Sequence, residues 1–305
     1  MAGNRSTSSP LPEPAALSPG KGRAGLGEIV VFIDGRTKGP GILEFAGVLA
    51  AEQGARLISV FMQPEPTVTA AESFARGKGM QRVSEVHRAQ LEKIEADHRA
   101  LFEDVVRRHG IRSESEWRSL PFQSSEVGVH AYYADLVVIA QPEPARQKAG
   151  PPGLAESLVL SSGRPIIVFP PRSAVSRVRR VVVGWNARRE SIRAVADAQP
   201  LLAKAEAVEV LVVDHERHPS GHGQEPGADI ARHLARRGAQ VGVRRLSSGG
   251  GGEEVGRLLL SQAAAFSADL LVMGAYGHSQ LTEWVFGSVT RTVLRDASLP
   301  VLMSR

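Results

Sequence analysis

Residues 268–305, ADLLVMGAYGHSQLTEWVFGSVTRTVLRDASLPVLMSR, decide how the rest of the chain is read. The run Leu270, Leu271, Val272, Met273 is short, unbroken and apolar and ends at Gly274. A strand buried on both faces of a parallel sheet reads this way. Gly277 follows after two residues and Gly287 after nine more, then Ser288 and a stretch in which Val289, Thr292, Val293 and Asp296 recur every three or four positions. The stretch predicts a helix with Ser288 as its N-cap.

That arrangement suits an anion. Glycines remove the Cβ that holds a ligand off the main chain, so several N–H groups can converge on one cluster of oxygens. A helix amino end adds unpaired donors and the positive end of a dipole. Open α/β sheets bind ligands at the carboxyl ends of their strands. The spacing Gly-x2-Gly-x9-Gly-Ser therefore describes a phosphate cradle shaped by Gly274, Gly277 and Gly287, with Ser288 supplying a hydroxyl. The alternative is a loop whose glycines and cap serve only the turn.

Working outward, the same plan occurs twice. ADLVVIA (134–140) lies over ADLLVMG (268–274), and GRPIIVFP (163–170) over SLPVLMSR (298–305). EIVVFIDG at Glu28 and RRVVVGWN at Arg179 each open a series of alternating strands and helices. Such alternation predicts a parallel, doubly wound sheet in each half. The expected order in the first half is a strand 28–34, a helix 41–54, a strand 55–62, a long amphipathic helix 80–109, a strand 116–120, a helix 124–133, a strand 134–140, a helix 154–160 and a strand 165–169. The second half gives a strand 179–186, a helix 190–203, a strand 207–214, a helix 229–237, a strand 240–246, a helix 253–266 and the tail. The domains read as an N-terminal arm 1–27, a first unit 28–170, a linker 171–177 and a second unit 178–305.

The tail resembles the universal stress protein family, whose ATP-binding members carry Gly-x2-Gly-x9-Gly-Ser/Thr here. RRVVVGWNARRESIRAVADAQPLLAKAEAVEVLVVD (179–214) is similar to its tandem members. The resemblance implies two Rossmann-like units of the adenine-nucleotide-binding type. It also implies ATP as ligand, with or without Mg, held by Asn186, Val213, Asp214, Gly274, Gly277, His278, Ser279, Gly287, Ser288 and Val289. In the family the first strand commonly ends in Asp-Gly-Ser. Asp34 keeps that Asp in the first half, whereas the second has the uncharged Asn186. Val213 and Asp214 match where the family contacts adenine through main-chain groups. The last strands of the two halves are expected to face each other as an intramolecular pseudo-dimer, which would cover apolar edges otherwise open to aggregation. A homodimer is compatible with this, and no protein partner is legible.

Other signals narrow the function. The chain has 305 residues, no cysteine and a formal net charge of +5. The missing thiols exclude disulfides, thiolate catalysis and Cys-ligated metal. The arginines are scattered in pairs without a basic block or interleaved aromatics, which argues against nucleic acid. No run approaches the ~18 apolar residues of a membrane span, and the Pro-rich arm lacks the apolar core of a secretory leader, so the expected place is the cytoplasm. GKGRAG (20–25) precedes a strand, which is the wrong order for a dinucleotide fingerprint, and no Walker A occurs. His215, His218 and His222 share a Gly/Pro/Ser-rich loop with Asp214 and read as incidental, so no metal site is expected. SSGGGGEE (247–254) reads as a flexible turn whose two acids satisfy the following helix. The segment 274–288 holds one acid, Glu283, and no Lys or Arg. Phosphoryl transfer normally needs metal-holding acids and a cationic clamp. Binding without significant turnover is therefore expected, with a slow ATPase or nucleotidyl transferase, or a ligand-free scaffold, as the alternatives. The first half looks degenerate. Ala140 stands where the second has Gly274, and QPEPARQKAGPPG (141–153) places Pro152 opposite Gly287, where proline has no N–H to donate.

Overall fold

The structure, a computed structural model, describes residues 25–35, 41–64, 77–111, 114–121, 127–141, 153–217, 223–276 and 287–305. Ten strands form one sheet. They are β1 (Glu28–Asp34), β2 (Arg56–Met62), β3 (Glu116–Leu120), β4 (Leu136–Ala140) and β5 (Ile166–Phe169), then β6 (Arg180–Gly184), β7 (Ala207–Val213), β8 (Val241–Leu246), β9 (Leu270–Gly274) and β10 (Val301–Ser304). The order is β3-β2-β1-β4-β5-β10-β9-β6-β7-β8. All pairings are parallel except β5 with β10, which run antiparallel with Val301 opposite Val168, Leu302 opposite Ile167 and Met303 opposite Ile166. The two terminal strands expected to face each other thus fuse two five-stranded parallel sheets.

Strand side chains alternate between two cores because the strand period is two. Ile29, Val31 and Ile33 enter one core and Val30 and Phe32 the other; Leu270 and Val272 part from Leu271 and Met273 in the same way. The first core is closed by α1 (Gly41–Gln53), the carboxyl part of α2 (Lys78–Arg108), α5 (Arg189–Asp197), α6 (Gln199–Leu202) and α7 (Ala228–Ala235). The second is closed by α3 (Val129–Tyr132), α4 (Leu154–Ser161), α8 (Gly252–Ala265) and α9 (Ser288–Asp296). Corresponding helices cover the same face, so the pseudo-two-fold axis is normal to the sheet and passes near the Ile167–Leu302 pair. Adding 135 to a residue number near this axis gives its counterpart in the second half. A second consequence is that the carboxyl ends of the two sets of strands point to opposite edges of the sheet.

Polar contacts reinforce the junction. Gln141 Nε2 donates to the carbonyls of Leu294 (2.7 Å) and Arg295 (3.1 Å) at the end of α9. Gln53 Nε2 donates to Pro200 O at 3.3 Å, and the Lys204 ammonium to Glu52 O. Each half also carries one carboxylate staple. Asp135 Oδ2 accepts the N–H groups of Gly27 (2.7 Å) and Glu28 (3.0 Å), and Asp269 Oδ2 those of Arg179 and Arg180 (both 2.9 Å).

Three elements differ from expectation. The helix expected over 190–203 is two pieces, broken at Ala198, because Pro200 has no N–H to continue the ladder. The helix expected over 124–133 is a single turn, Val129–Tyr132, within the described residues. Ser288 is not the N-cap of α9: Gly287 is, and Ser288 is the first helical residue. Gly287 takes the extended backbone of a cap, and its missing side chain leaves the capping to other groups.

Candidate functional site

The carboxyl ends of β6, β7 and β9 meet the amino ends of α5, α8 and α9 at one edge of the second half. Gly274 closes β9 against α5. A Cβ there would lie 2.5 Å from Glu190 C and 2.6 Å from Ser191 N, so the glycine is demanded by packing alone. Gly287 differs: among the described residues nothing lies within 4 Å of the position of a Cβ. Its φ of −54° needs no glycine either. Among the described residues, neither packing nor backbone conformation calls for a glycine at this position.

Ser288 stands beside a second helix amino end. A Cβ on Gly252 would fall 2.0 Å from Ser288 Oγ, and one on Gly256, a turn later, 2.9 Å from Thr292 Cβ. These two glycines form the groove that lets α9 lie tightly on α8, which sets both helix starts side by side. Their charge differs. Glu254 Oε2 accepts the Gly251 N–H at 2.9 Å, and Glu253 pairs with Arg257, so the positive end of α8 is met by its own acids. The first turn of α9 carries no acid. A helix start without acids of its own favours an anion.

The other expected contacts are tied into turns. Asn186 is exposed and its Oδ1 accepts the Arg188 N–H at 3.1 Å across Ala187, whose φ is 56°. Asp214, at φ 51°, accepts from Ser248 N at 2.7 Å and Ser248 Oγ at 2.5 Å, and its own N–H donates to Leu246 O at 2.9 Å. The stretch read as a flexible turn is thus anchored to the end of β7. Val213 is half-buried beside it, and Val289 packs on the second core. Gly277, His278 and Ser279 lie outside the described residues, as do His218 and His222.

Several residues of the site carry no sequence signal that the spacing rules pick up. Gly252 and Gly256 sit inside a glycine run, and their partner Ser288 is far along the chain. Ser248 is read only once Asp214 is placed. Tyr276, at φ 62°, leads from β9 toward the segment 277–286 and packs against the second core. Burial, with the nearby Glu156 carboxylate adding to it, pushes its phenol above the ordinary tyrosine value, so it stays protonated at neutral pH. Among the described residues no group of three or more His, Cys, Asp or Glu is arranged to hold a metal ion, and no helix is long and apolar enough to cross a membrane.

Comparisons with known proteins bear on the family and the fold. The family model described as "Universal stress protein family" matches residues 177–305. The universal stress protein Slr1230 of Synechocystis sp. is 57% identical over 37 residues, a stretch that spans 12% of this chain and 13% of that protein. The fold matches the crystal structure of a universal stress protein from Archaeoglobus fulgidus DSM 4304. The TM-score is 0.64 at 15% identity, over 90% of this chain and 96% of that one. A functionally unknown protein from Pseudomonas aeruginosa PAO1 matches with a TM-score of 0.56 at 13% identity, over 92% of each chain.

Proposed function

We propose that the chain, whose residues 177–305 match the universal stress protein family model, is a stress-response regulatory protein that binds one adenine nucleotide, ATP, in its second half without appreciable turnover. The observation that carries this reading is the amino end of α9. It has no acid in its first turn, a serine at its first position and a glycine cap whose absent Cβ meets nothing within 4 Å among the described residues, which supports close approach of a ligand. The triphosphate would lie over Gly287 and Ser288, with Gly277, His278 and Ser279 completing the loop. Asn186, Val213, Asp214, Gly274 and Val289 would line the path toward the base. Mg, where present, would be held chiefly by the phosphates. The two sheet halves are assigned as domains 28–170 and 178–305, and the chain as a cytoplasmic protein that takes no nucleic acid.

The first half supports a single site. By the 135-residue correspondence, Glu156 of α4 stands where α9 has Arg291. Glu156 is buried, and a Cβ on Gly153 would come within 2.6 Å of its Oε2. The α4 amino end therefore carries its own carboxylate where the second half leaves room for a phosphate. Calorimetric titration with ATP is expected to give a stoichiometry near one, and phosphate release to stay far below the ~1 per second of ordinary enzymes. Two equivalent sites, or multiple turnover abolished by Ser288→Ala, would overturn the assignment.

A further inference from the structure

Helix α9, which carries Ser288 at its start, is held at its other end by the first half. A helix leaves its last carbonyls without N–H partners of its own. Two of those at the end of α9, Leu294 O and Arg295 O, accept from Gln141 Nε2 at 2.7 and 3.1 Å. Gln141 follows β4 directly, and its own N–H donates to Phe169 O of β5 at 2.8 Å. The side chain is thus carried by the sheet of the first half, from a backbone position fixed by the strand ladder. Its amide supplies donors without net charge and turns their positive hydrogens toward the negative end of the α9 dipole.

The hold is one-sided. Ala140 pairs with Phe169 as Gly274 pairs with Ser304, and the next residues, Gln141 and Ala275, donate their N–H groups to Phe169 O and Ser304 O at 2.8 and 2.9 Å. Ala275 is therefore the counterpart of Gln141. It is fully buried and has no side-chain donor to offer the end of α4. A tether that served only to join the halves would suit both helices alike. This one acts on the helix that begins Gly287–Ser288, and its counterpart position is empty of donors toward the helix that carries Glu156.

What such a tether fixes is position along the axis. Gly252 and Gly256 let α9 lie close on α8, which sets the spacing of the two helices. A hydrogen-bonded end resists sliding. The nine residues of α9 span about 13 Å at 1.5 Å per residue, so a rigid slip at Gln141 arrives undiminished at Ser288. Binding groups lose effect when displaced by more than about 0.5 Å.

We infer that Gln141, a residue of the first half, is a positioning residue for the nucleotide site of the second, holding α9 where Gly287 and Ser288 meet the phosphates. The inference rests on the reading of α9 as the phosphate-binding helix. It gives the first half, whose own helix start carries a carboxylate, a part in binding at the other.

Calorimetric titration with ATP, on variants shown by circular dichroism to be folded, separates position from packing. Gln141→Met keeps the length of the side chain and removes its donors, so ATP should bind roughly ten-fold more weakly. Gln141→Glu sets a charge against the carbonyls and cannot donate while ionised. Its loss relative to the native chain should reach roughly 30-fold at pH 8 and shrink toward pH 5, as the carboxyl protonates and regains an O–H. Gln141→Lys restores a donor and should return affinity to within about three-fold of the native value. A lowered melting temperature with an unchanged dissociation constant in the Met and Glu variants would show a tether that serves packing alone, and would overturn the inference. A second readout needs no nucleotide. In the ligand-free protein Gln141→Met should shift the backbone amide resonances of Gly287, Ser288 and Val289 at the far end of α9. Shifts confined to residues 294–298 would overturn the inference even where ATP binds. A native chain that takes no ATP would overturn the proposed function and this site with it, while the amide shifts still report whether Gln141 positions the start of α9.

Discussion

The two halves share a backbone plan and differ in what occupies the amino end of the helix after the fourth strand. In the second half that helix, α9, begins Gly287–Ser288 with no acid in its first turn. In the first, α4 begins with Gly153 as cap and a buried Glu156 two residues inside the helix. The same scaffold therefore presents two helix starts of different charge. The difference lies in whether the helix dipole is met by the chain's own carboxylate or left for one from outside. The fourth strands repeat the contrast. Ala140 is accommodated in β4, whereas β9 must end in Gly274 because α5 crosses it at backbone contact.

Two glycine substitutions separate packing from binding and carry the largest expected effects. Gly287→Val meets no described atom within 4 Å of its Cβ, so stability should change by no more than ~0.5 kcal/mol. ATP affinity should fall by roughly 100-fold or more, as the main chain can no longer approach phosphate. Gly274→Ala is the reverse case. Its methyl meets α5 backbone at 2.5–2.7 Å, so the fold should lose about 2–3 kcal/mol in urea unfolding, while Ala140→Gly in the first half should cost about 1 kcal/mol or less. Equal stability losses for Gly287→Val and Gly274→Ala would collapse the distinction.

The carboxylate staples test what the halves have in common. Asp135 and Asp269 each accept two main-chain N–H groups from the start of the central strand of their own half. Asp135→Ala and Asp269→Ala should each cost about 2 kcal/mol, and the two values should agree within ~0.5 kcal/mol. A large cost in one half alone would show that the repeat is only topological.

These staples mark where the sequence stops being readable. Strand β1 is legible to the residue, Glu28–Asp34, because an apolar run buried on both faces and closed by Asp-Gly has one interpretation. The aspartates open two visibly parallel strings, ADLVVIA and ADLLVMG, yet their partners lie 107 and 108 residues upstream for Asp135 and 89 and 90 for Asp269. No local pattern reports such pairings. The site divides in the same way. The Gly-Ser at 287–288 announces a helix start, although which of the two caps it depends on backbone geometry. Gly252 and Gly256 look like loop glycines until α9 is packed on them.

The smallest expected effect separates the halves by pH. Glu44 of α1 accepts from Arg108 Nη2 at 2.8 Å and contacts His109 Nε2 at 2.8 Å, joining α1 to the end of α2. The Arg108 guanidinium, opposed by partial burial and aided by His109, holds this carboxyl below the ordinary glutamate value of 4.5. A depressed folded-state pKa means that the folded chain binds the proton less readily than the unfolded one. The stabilisation is therefore complete above about pH 4.5 and is lost as pH falls through the lower folded value. The helix pair corresponding to α1 and α2 in the second half, α5 and α7, shows no such cross-helix cluster among the described residues; the ion pairs Arg193–Asp197 and Arg232–Asp229 each stay within one helix. Glu44→Gln should cost about 0.5–1 kcal/mol at pH 7, an exposed-pair magnitude given the partial solvation, and progressively less as the pH falls below about 4.5. Hydrogen exchange on the α1 and α2 amides should register the loss while the α5 and α7 amides stay unchanged. A pH-independent difference would assign the effect to packing of the side chain and not to its charge.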